Sequence, residues 1–454
     1  MIAAARLAAY DALLAVETGR LDLPQALHAV RGGLPDERDR ALAGEIATGA
    51  LRWQGAFDHL ATAFTGRALA KLDREVRTIL RLTLFQLLHL DRVPPSAAVN
   101  DAVSLAKRAG KRSAAPMVNA VLRRVLRERG TLPLPPRPAD PRDMTAMADY
   151  VAVTLSQPRW LVERWLRRYG FEAAEVWARF NNSAAPLVLR VNRLRTTPDG
   201  LVAALAAEGV VVEPARFAPD GMIVTRGNPL LTSFAGDGSF FIQDEASQLV
   251  AAVVAARPGE QILDTCASPG GKTTALAADM ADTGLLAATD VRGRRVDLLA
   301  RTVAVSGARN IRVLQADAAR PLPFRPVFDA VLLDAPCSGL GVIRRDPDVK
   351  WRRTEDSLAT LAEAQGRLLS QAADVVRPGG RLIYATCSSE PEENEEVVDA
   401  FLTRRPDFRE GPPPSWAGPA SELLDERGRF RPLPHRDGLE SFFAVTLVKS
   451  AGPQ

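Results

Sequence analysis

The sequence predicts an α/β protein whose C-terminal half is a doubly wound, Rossmann-like parallel sheet. Three observations predict it. Gln261 to Thr274 runs from a short apolar strand through a Pro-Gly-Gly turn into helix-forming residues. From Gly238 onward, strand-like and helix-like patterns alternate regularly. Acidic residues close three successive strands beyond the glycine turn, at the edge where such sheets bind their ligands.

Residues 1–130 have a helical pattern, with apolar side chains at three- and four-residue spacing, as in Ile79 to Leu88 and Met117 to Leu126. This pattern predicts a small all-α domain. Basic residues gather near its end, and either a solvated helix face or a nucleic-acid contact explains them. These residues are Lys107, Arg108, Lys111, Arg112, Arg123, Arg124, Arg127 and Arg129.

A proline-rich stretch, residues 131–143, follows the helical part. Because proline has no N–H and a fixed φ, we expect a stiff extended linker there. Residues 144–236 begin with a helical pattern from Asp149 to Phe180 and continue with short strand and helix patterns. They predict a small α+β module, which we interpret as a platform on the substrate side. Residues 237–450 form the predicted doubly wound domain.

The doubly wound domain opens with a predicted helix at Asp244 to Ala256. The predicted strands lie at Gln261 to Thr265, Gly284 to Asp290, Ile311 to Ala316, Phe328 to Leu333, Arg381 to Thr386 and Phe442 to Val448. The predicted helices between them lie at Lys272 to Met280, Arg294 to Ser306, Glu355 to Val376 and Asn394 to Arg404.

The composition is that of a globular protein of about three domains. The formal charge of +4 permits a nucleic-acid partner without requiring one. The three cysteines form no close pair and the four histidines are scattered, which argues against a disulfide framework and a metal site. Charged residues interrupt the Ala/Leu-rich start, and no later apolar run could span a bilayer. We therefore expect a monomeric cytoplasmic protein with no metal and no membrane contact.

The glycine turn favours a nucleotide-type cofactor. Gly270 and Gly271 lack a Cβ, so a ligand can approach the main chain, and the helix beyond offers free N–H groups. A phosphate-binding P-loop is an alternative, but it needs a glycine where Cys266 stands and cannot easily place Pro269 among its phosphate-binding amides. A buried strand with an ordinary glycine turn is the other alternative.

The three strand-end carboxylates are Asp290, Asp317 and Asp334, and the topology should bring them together. Asp290 stands about 20 residues beyond the glycines, where a carboxylate accepts hydrogen bonds from ribose hydroxyls. This much negative charge repels a phosphate ligand but attracts a nucleoside with a cationic centre. S-adenosylmethionine is such a molecule, although one strand-end aspartate alone is often only a helix cap.

Two cysteines, Cys337 and Cys387, also follow strands of the predicted sheet. A free cysteine is usually a small buried hydrophobic residue, but a thiol beside a methyl donor suggests cytosine C5 methylation. A thiolate that adds to C6 makes C5 nucleophilic enough to take the methyl group, and a second acid or base eases elimination. Asp334 could bond the N3/N4 edge of the base. This chemistry does not decide which thiol attacks.

The acidic run Glu390 to Glu396 resembles a metal site at first sight. We interpret it instead as the start of a helix, with Pro391 and carboxylates in the first turn stabilising the helix dipole.

Several motifs of the C-terminal half resemble those of the RNA cytosine-C5 methyltransferases. They are residues 263–274, 334–341 and 384–388, Arg345-Asp346-Pro347-Asp348, Asp437-Gly438 and Phe442-Phe443. The resemblance implies that Cys387 is the nucleophile and that Cys337 assists release. It also implies S-adenosylmethionine as cofactor, bound by Cys266, Ala267, Ser268, Pro269, Gly270, Gly271, Lys272, Asp290, Asp317 and Asp334. The family commonly has alanine at the position of Ser268.

The N-terminal part, with Ser96 to Arg108 and Met117 to Val125, resembles the helical domain of the antitermination factor NusB. This fusion is typical of the Sun (Fmu) branch of the family, which implies a small-subunit ribosomal RNA substrate and RNA contact by the basic helices. A transfer-RNA cytosine-C5 methyltransferase and a non-catalytic RNA-binding or assembly factor remain alternatives. Such enzymes need a base that is unpaired or extruded from its helix.

Overall fold

The computed structural model describes residues 2–140, 142–416 and 418–451. The helices are α1 (Ala4–Glu17), α2 (Leu23–Arg31), α3 (Glu37–Arg52), α4 (Gln54–Thr65), α5 (Arg74–His89), α6 (Pro95–Arg108), α7 (Ala115–Arg127), α8 (Met144–Asp149), α9 (Arg159–Asn182), α10 (Pro198–Ala207), α11 (Glu245–Val253), α12 (Gly271–Asp279), α13 (Gly293–Ser306), α14 (Val349–Arg352), α15 (Ser357–Asp374), α16 (Glu395–Arg404) and α17 (Pro434–Asp437). The strands are β1 (Val188–Val191), β2 (Val211–Pro214), β3 (Gly221–Arg226), β4 (Phe240–Ile242), β5 (Gln261–Asp264), β6 (Leu285–Asp290), β7 (Ile311–Gln315), β8 (Phe328–Asp334), β9 (Val376–Thr386), β10 (Phe408–Glu410) and β11 (Phe443–Lys449).

The chain divides into two compact units. The first comprises Met1–Ala184 with Ile343–Glu355, and the second comprises Ala185–Val342 with Asp356–Gln454. Helices α1 to α7 pack around a buried aliphatic core that includes Ile79, which is 0% exposed. Within the described ranges of the chain, no helix is long and apolar enough to cross a membrane.

A buried ion-pair cluster supplements the apolar core of the first unit. The Arg81 guanidinium contacts the Asp58 carboxylate at 2.6 Å and the Glu17 carboxylate at 2.6 Å. Because Arg81 forms a fork of donors to Asp58 and a further bond to Glu17, its buried charge is compensated.

The segment Ile343–Glu355 belongs to the first unit although its sequence neighbours lie in the second. Its Lys350 side chain is 0% exposed, and the ammonium donates to the carbonyl oxygens of Arg52 at 3.0 Å and Ser156 at 2.5 Å. The Trp351 indole N–H donates to the Leu51 carbonyl at 2.6 Å. Carbonyls at the C-terminal end of α3 therefore find donors in a segment about 300 residues away in sequence.

The second unit starts with a small antiparallel sheet of strand order β2-β3-β1-β4, against which α10 packs. Helix α10 begins at Thr197, whose side chain accepts a hydrogen bond from the Gly200 N–H, and Pro198 occupies its first turn. Leu189 of β1 and Leu205 of α10 share the apolar core of this part, and both are 0% exposed.

The large sheet of the second unit has strand order β10-β11-β9-β8-β5-β6-β7. The five strands from β9 to β7 in this order are parallel, while β11 and β10 are antiparallel to their neighbours. The middle residues of the central strands are apolar, as expected for a sheet covered on both faces, and Ile262, Leu263 and Val331 are 0% exposed. The carboxyl ends of β5, β6, β7, β8 and β9 therefore share one edge.

The structure confirms the predicted fold class, a Rossmann-like domain with a helical N-terminal part. All six predicted strands of the large sheet are present, and β10 was not predicted. The helix predicted from Asp149 to Phe180 is interrupted by a π-helical turn at Tyr150–Thr154 and by Gly170, whose φ is 78°. Residues 132–138 of the predicted linker have no regular secondary structure, and Pro141 lies outside the described residues.

Candidate active site

The two predicted catalytic thiols lie together at the carboxyl ends of neighbouring strands. Strands β8 and β9 pair in parallel with Asp334 opposite Ala385. One further bond, from the Ala335 N–H to the Ala385 carbonyl at 2.8 Å, keeps the two chains side by side beyond the strands. The loops that carry the cysteines therefore begin at the same edge, and Cys337 Sγ lies 3.2 Å from Cys387 Sγ.

A close backbone contact fixes the loop that follows Cys337. The Gly341 N–H donates to the Cys387 carbonyl at 2.9 Å, and the Ser441 N–H donates to the Gly341 carbonyl at 3.0 Å. A Cβ at position 341 would lie 1.9 Å from the Ser441 carbonyl oxygen and 2.8 Å from that of Cys387. Only glycine fits there, because both neighbouring atoms belong to the backbone.

The surroundings of Cys337 favour its protonated form. The hydrogen bond with Cys387, burial, and the negative charges of Cys387 and Glu393 raise the pKa of Cys337 well above its ordinary value. A thiol whose pKa is raised by such a bond keeps its proton and donates it towards its neighbour. Cys337 therefore stays protonated at neutral pH.

The third cysteine lies in the glycine loop and is unsuited to attack. Burial, followed by the carboxylates of Asp264, Asp334 and Asp290, raises the pKa of Cys266 to about 12. A thiol with this pKa has almost no thiolate at neutral pH. Cys266 is therefore a poor candidate for a nucleophile.

Lys272 provides a buried cation beside the thiols. Its ammonium lies 2.7 Å from the Asp334 carboxylate and 5.8 Å from the centre of the Phe442 ring. Burial alone would lower the pKa of Lys272, but Asp334 and the negative charge of Cys387 outweigh it, so that the pKa is raised. The side chain therefore remains an ammonium that can stabilise negative charge on Cys387.

The loop from Cys266 to Lys272 connects β5 to α12. The Ala267 N–H donates to the Thr289 carbonyl at 2.9 Å, which ties the loop to β6. The Arg295 guanidinium donates to the Ser268 carbonyl at 2.8 Å. These bonds hold the backbone of the loop against the carboxyl ends of β5 and β6.

Gly270 caps α12 with φ at 105°, a conformation that strongly favours glycine. A Cβ at this position would also meet Leu299 at 3.0 Å and Thr302 at 3.1 Å, both of α13. At Gly271 a Cβ would lie 3.4 Å from the Gln243 side chain. The glycines keep the main chain open at the helix N-terminus.

Asp264 and Asp290 end the adjacent parallel strands β5 and β6. The Thr273 hydroxyl donates to Asp264 Oδ2 at 2.7 Å, whereas Asp264 Oδ1 is buried without a hydrogen-bond partner among the described residues. Burial raises the pKa of Asp264 to about 7. Asp290 is 4% exposed, and its carboxylate lies 3.2 Å from the Arg295 guanidinium.

Asp317 follows β7 and lies farther along the same edge, since β5 and β6 separate β7 from β8. Its side chain is 41% exposed and lies 3.4 Å from the Arg320 guanidinium. The strand-end carboxylates thus form a row along one edge, in which Asp334 is beside the thiols and Asp317 is the outermost.

The residues of this edge fit a nucleoside with a cationic centre. The row of carboxylates is acidic, and the unpartnered Oδ1 of Asp264 can accept from a cation. The glycine loop leaves room for a ligand at the N-terminus of α12. Among the residues that the structure describes, no group of three or more His, Cys, Asp and Glu side chains is placed to hold a metal ion.

The acidic run after Cys387 starts a helix, but one of its residues has a different partner. Glu395 and Glu396 lie in the first turn of α16. Glu393, in the preceding 3-10 turn, is 0% exposed and accepts the Ser338 N–H at 2.8 Å. The sequence offered no signal for this contact, because an acidic residue before a helix is usually a solvated or capping group.

Comparison with known families agrees with this architecture. The model of the family described as 16S rRNA methyltransferase RsmB/F matches residues 251–448. The NusB family model matches residues 3–127, and a model described as an RsmF/B-like ferredoxin-like domain matches residues 157–230.

Relatives match nearly the whole chain. A ribosomal RNA small subunit methyltransferase B from Pseudomonas putida is 36% identical and covers 98% of each chain. A probable ribosomal RNA small subunit methyltransferase B from Bacillus subtilis is 35% identical and covers 91% of each. The crystal structure of a protein named PH0851 has a TM-score of 0.80, with 27% identity over 99% of each chain. The chain belongs to the RsmB/F family of 16S rRNA methyltransferases.

Proposed function

We propose that this protein methylates C5 of a cytosine in bacterial 16S ribosomal RNA, with S-adenosylmethionine as cofactor and a covalent bond between Cys387 and C6 of the base. One observation supports this proposal above all others. Cys337 and Cys387 lie 3.2 Å apart at the carboxyl edge of the sheet, beside the ion pair of Lys272 and Asp334.

S-adenosylmethionine supplies an electrophilic methyl group on a sulfonium sulfur. The chain would hold it with the loop from Cys266 to Lys272 and with the strand-end carboxylates Asp290, Asp317 and Asp334. Asp264 joins this set because one of its carboxylate oxygens has no hydrogen-bond partner among the described residues and can accept from a cationic ligand. Sequence reasoning left Asp264 out of the proposed site.

The first step is the addition of the Cys387 thiolate to C6. The new C–S bond forms from the sulfur electron pair, and the C5=C6 electrons make C5 nucleophilic. These electrons then form the bond from C5 to the methyl group, which would leave the electrons of its former bond on the cofactor sulfur. The Cys337 S–H and the Lys272 ammonium both stabilise negative charge on the Cys387 sulfur. This arrangement supports Cys387 as the nucleophile and Cys337 as its donor.

Release requires loss of the C5 proton and cleavage of the C6–S bond. A base takes the C5 proton, the electrons of the C5–H bond re-form C5=C6, and the Cys387 sulfur departs with the electron pair of the C–S bond. Cys337 holds its proton 3.2 Å from that sulfur and can donate to it as it departs. Without Cys337 the adduct should persist.

Asp334 gives the site a group that can select cytosine. One of its carboxylate oxygens accepts from Lys272, and its side chain is 27% exposed, so the carboxylate can also meet a base. A carboxyl group accepts from the N4 amino group of cytosine, which uracil lacks.

Ribosomal RNA is the proposed substrate because the relatives carry this function in their names and match nearly the full length. The NusB-like residues 1–130 and the α+β module of residues 144–236 would hold the RNA around the target base. The basic residues of α6 and α7 supply positive charge for the phosphates.

Bisulfite sequencing of RNA from a strain that lacks this protein tests the proposal. One cytosine of small-subunit rRNA should lose its protection in the deletion strain and regain it when the wild-type gene is restored. Restoration with Cys387→Ala should leave that cytosine unprotected. Loss of protection in transfer RNA instead would establish the transfer-RNA alternative. Absence of methyl transfer to any RNA from labelled cofactor would favour a non-catalytic assembly factor.

A further inference from the structure

A buried carboxylate lies beneath the two thiol loops. Glu393 is 0% exposed, and its carboxylate accepts three hydrogen bonds. Oε1 accepts the Ser338 N–H at 2.8 Å and the Gln365 side-chain amide at 2.9 Å, and Oε2 accepts the Ser388 hydroxyl at 2.5 Å. All three donors are uncharged, so hydrogen bonds, and not an ion pair with these donors, compensate the burial of the carboxylate.

These donors belong to both catalytic loops. Ser338 directly follows Cys337, and Ser388 directly follows Cys387. The two serine hydroxyls also lie 3.1 Å apart. Gln365 of α15 donates to the Pro336 carbonyl at 3.1 Å, immediately before Cys337. The Glu393 carboxylate therefore links the loop that carries Cys337 to the loop that carries Cys387.

The turn that carries Glu393 is itself fixed to β9. The Tyr384 hydroxyl donates to the Glu393 carbonyl at 2.6 Å. The Thr386 hydroxyl donates to Asn394 Oδ1 at 2.5 Å, and the Asn394 side-chain amide donates to the Ser388 carbonyl at 3.0 Å. The position of the carboxylate is thus set by β9, which ends directly before Cys387.

We propose that Glu393 is a positioning residue that holds Cys337 against Cys387 and thereby sets the rate at which the methylated base is released. This role rests on the proposed covalent mechanism. It goes beyond that mechanism by naming the group that aligns the two thiols.

Electrostatics gives this role a measurable signature. The titratable groups that face Cys337 are Cys387, Glu393 and Tyr384, and Lys272 faces Cys387. In the covalent adduct the Cys387 sulfur is an uncharged thioether. Of the negative charges that raise the pKa of Cys337, only that of Glu393 then remains. Removing it should move the titration of Cys337 in the adduct to lower pH, whether Cys337 acts as acid or as base.

Two substitutions separate charge from geometry. Glu393→Gln can keep the three contacts, because the Ser388 hydroxyl can turn to accept from the new amide, but it removes the charge. Glu393→Asp keeps the charge, but a side chain shorter by one methylene cannot reach all three donors. Glu396→Gln, on the exposed side of α16, is the matched control.

The experiment uses the full chain, its RNA substrate and S-adenosylmethionine in single-turnover reactions, with adduct decay followed across pH. For Glu393→Gln, we expect the pH profile of decay to move down by about half a unit or more, while Glu396→Gln follows the wild type. For Glu393→Asp, we expect decay at least about 10-fold slower at every pH. A Glu393→Gln profile that coincides with the wild type, or a Glu393→Asp adduct that decays at the wild-type rate, would overturn the proposal.

A measurement without RNA separates this proposal from the catalytic one. A diazene oxidant takes the hydrogens of the two thiols, so that it becomes a hydrazine while a Cys337–Cys387 disulfide forms. We expect this disulfide to form about 10-fold more slowly in Glu393→Asp than in the wild type or Glu396→Gln. Equal rates would contradict positioning by Glu393. If the protein methylates no RNA but its disulfide still forms about 10-fold more slowly in Glu393→Asp, the proposed function is refuted, while Glu393 is still shown to hold the two thiols together.

Discussion

At the scale of single residues, the chemistry of the site depends on how four polar side chains are charged. Cys337 keeps its proton and the Lys272 side chain remains an ammonium. The Asp334 carboxylate forms an ion pair with this ammonium at 2.7 Å. The Cys387 sulfur lies 3.2 Å from the Cys337 sulfur and interacts with the charge of the Lys272 ammonium. These surroundings support the proposal that the two chemically identical thiols have different roles.

The first residue-scale prediction concerns Asp264, whose pKa burial raises to about 7. A carboxyl group that binds its proton more tightly in the folded state stabilises the fold at low pH and loses this contribution as pH rises. The free energy of unfolding of the cofactor-free protein should therefore fall between about pH 4 and pH 7, by at most about 4 kcal/mol from this group. Denaturant unfolding across this pH range measures the fall.

Asp264→Asn is the matched variant for this measurement. Asparagine can still accept from the Thr273 hydroxyl, which donates to Asp264 at 2.7 Å, but it does not titrate. The stability difference between variant and wild type should change by several kcal/mol across the range. Parallel stability curves would contradict the account.

The second residue-scale prediction concerns the ion pair of Lys272 and Asp334. Lys272→Met removes the cation beside Cys387 and leaves the Asp334 carboxylate without this partner. Methyl transfer should fall at least about 100-fold, and the fold should lose about 1–3 kcal/mol. In a double-mutant cycle with Asp334→Asn, the two stability losses should not add, because the second change removes the stranded charge. Additive losses would show that the pair is not coupled.

The chemistry of these residues could be read from the sequence only in part. Strand-end positions predicted that Cys337, Cys387 and Asp334 would share one edge, and the structure places them there. The partner of Asp334 was not predicted, because Lys272 at the start of α12 and Asp334 at the end of β8 are 62 residues apart and share no local pattern. Glu393 was interpreted as part of a helix start, since its contact with Ser338 spans 55 residues and has no local pattern.

At the scale of elements, the site depends on the register of β8 and β9. Strand pairing brings the two thiol loops to one edge, and the backbone bond from Gly341 to the Cys387 carbonyl fixes how one loop crosses the other. The parallel sheet determines which residues meet, and the loops determine their separation.

Gly341→Ala tests this crossing. The added methyl would lie 1.9 Å from the Ser441 carbonyl oxygen, so the backbone must move. We expect methyl transfer to fall at least about 100-fold and stability to fall by about 1–3 kcal/mol, measured by methyl incorporation and by denaturant unfolding.

Gly366→Ala in α15 is the control for that substitution. Its Cβ would meet only the flexible end of Arg404, at 3.5 Å. Because alanine favours a helix interior, this variant should gain about 0.5–1 kcal/mol and keep its activity. Similar behaviour of both alanine variants would contradict a special role for the crossing at Gly341.

Regular elements could be predicted from the sequence because apolar periodicity and glycine turns are local signals. The strand β10, only three residues long, has no such period and gains its place by pairing with β11. The sequence also did not predict that the segment Ile343–Glu355 belongs to the first unit. Its membership in the first unit depends on Lys350 and Trp351 reaching carbonyls that are distant in sequence.

At the scale of the whole molecule, the proposed reaction needs RNA to be held by surfaces outside the thiol site. Lys107 and Arg108 at the end of α6 are exposed. If they contact phosphates, replacing both by alanine should weaken RNA binding about 5- to 10-fold. The slope of log Kd against log salt concentration should also fall, by the amount that about one to two phosphate contacts contribute. Binding titrations at several salt concentrations measure both effects.

The control for this pair is a second exposed pair, Arg20 and Arg38, near the ends of α1 and α3. Its double alanine variant removes the same charge, so it reports the effect of net charge alone. Equal losses from the two variants would mean that the end of α6 makes no particular contact with RNA.

The most direct test of the central claim is mass spectrometry of the complex that Cys337→Ala forms with its RNA substrate and S-adenosylmethionine. After nuclease and protease digestion, we expect the peptide that contains Cys387 to carry a methylated cytidine adduct, and we expect no adduct in Cys387→Ala. An adduct on Cys337 in the Cys387→Ala variant, or methyl transfer that proceeds without Cys387, would contradict the account.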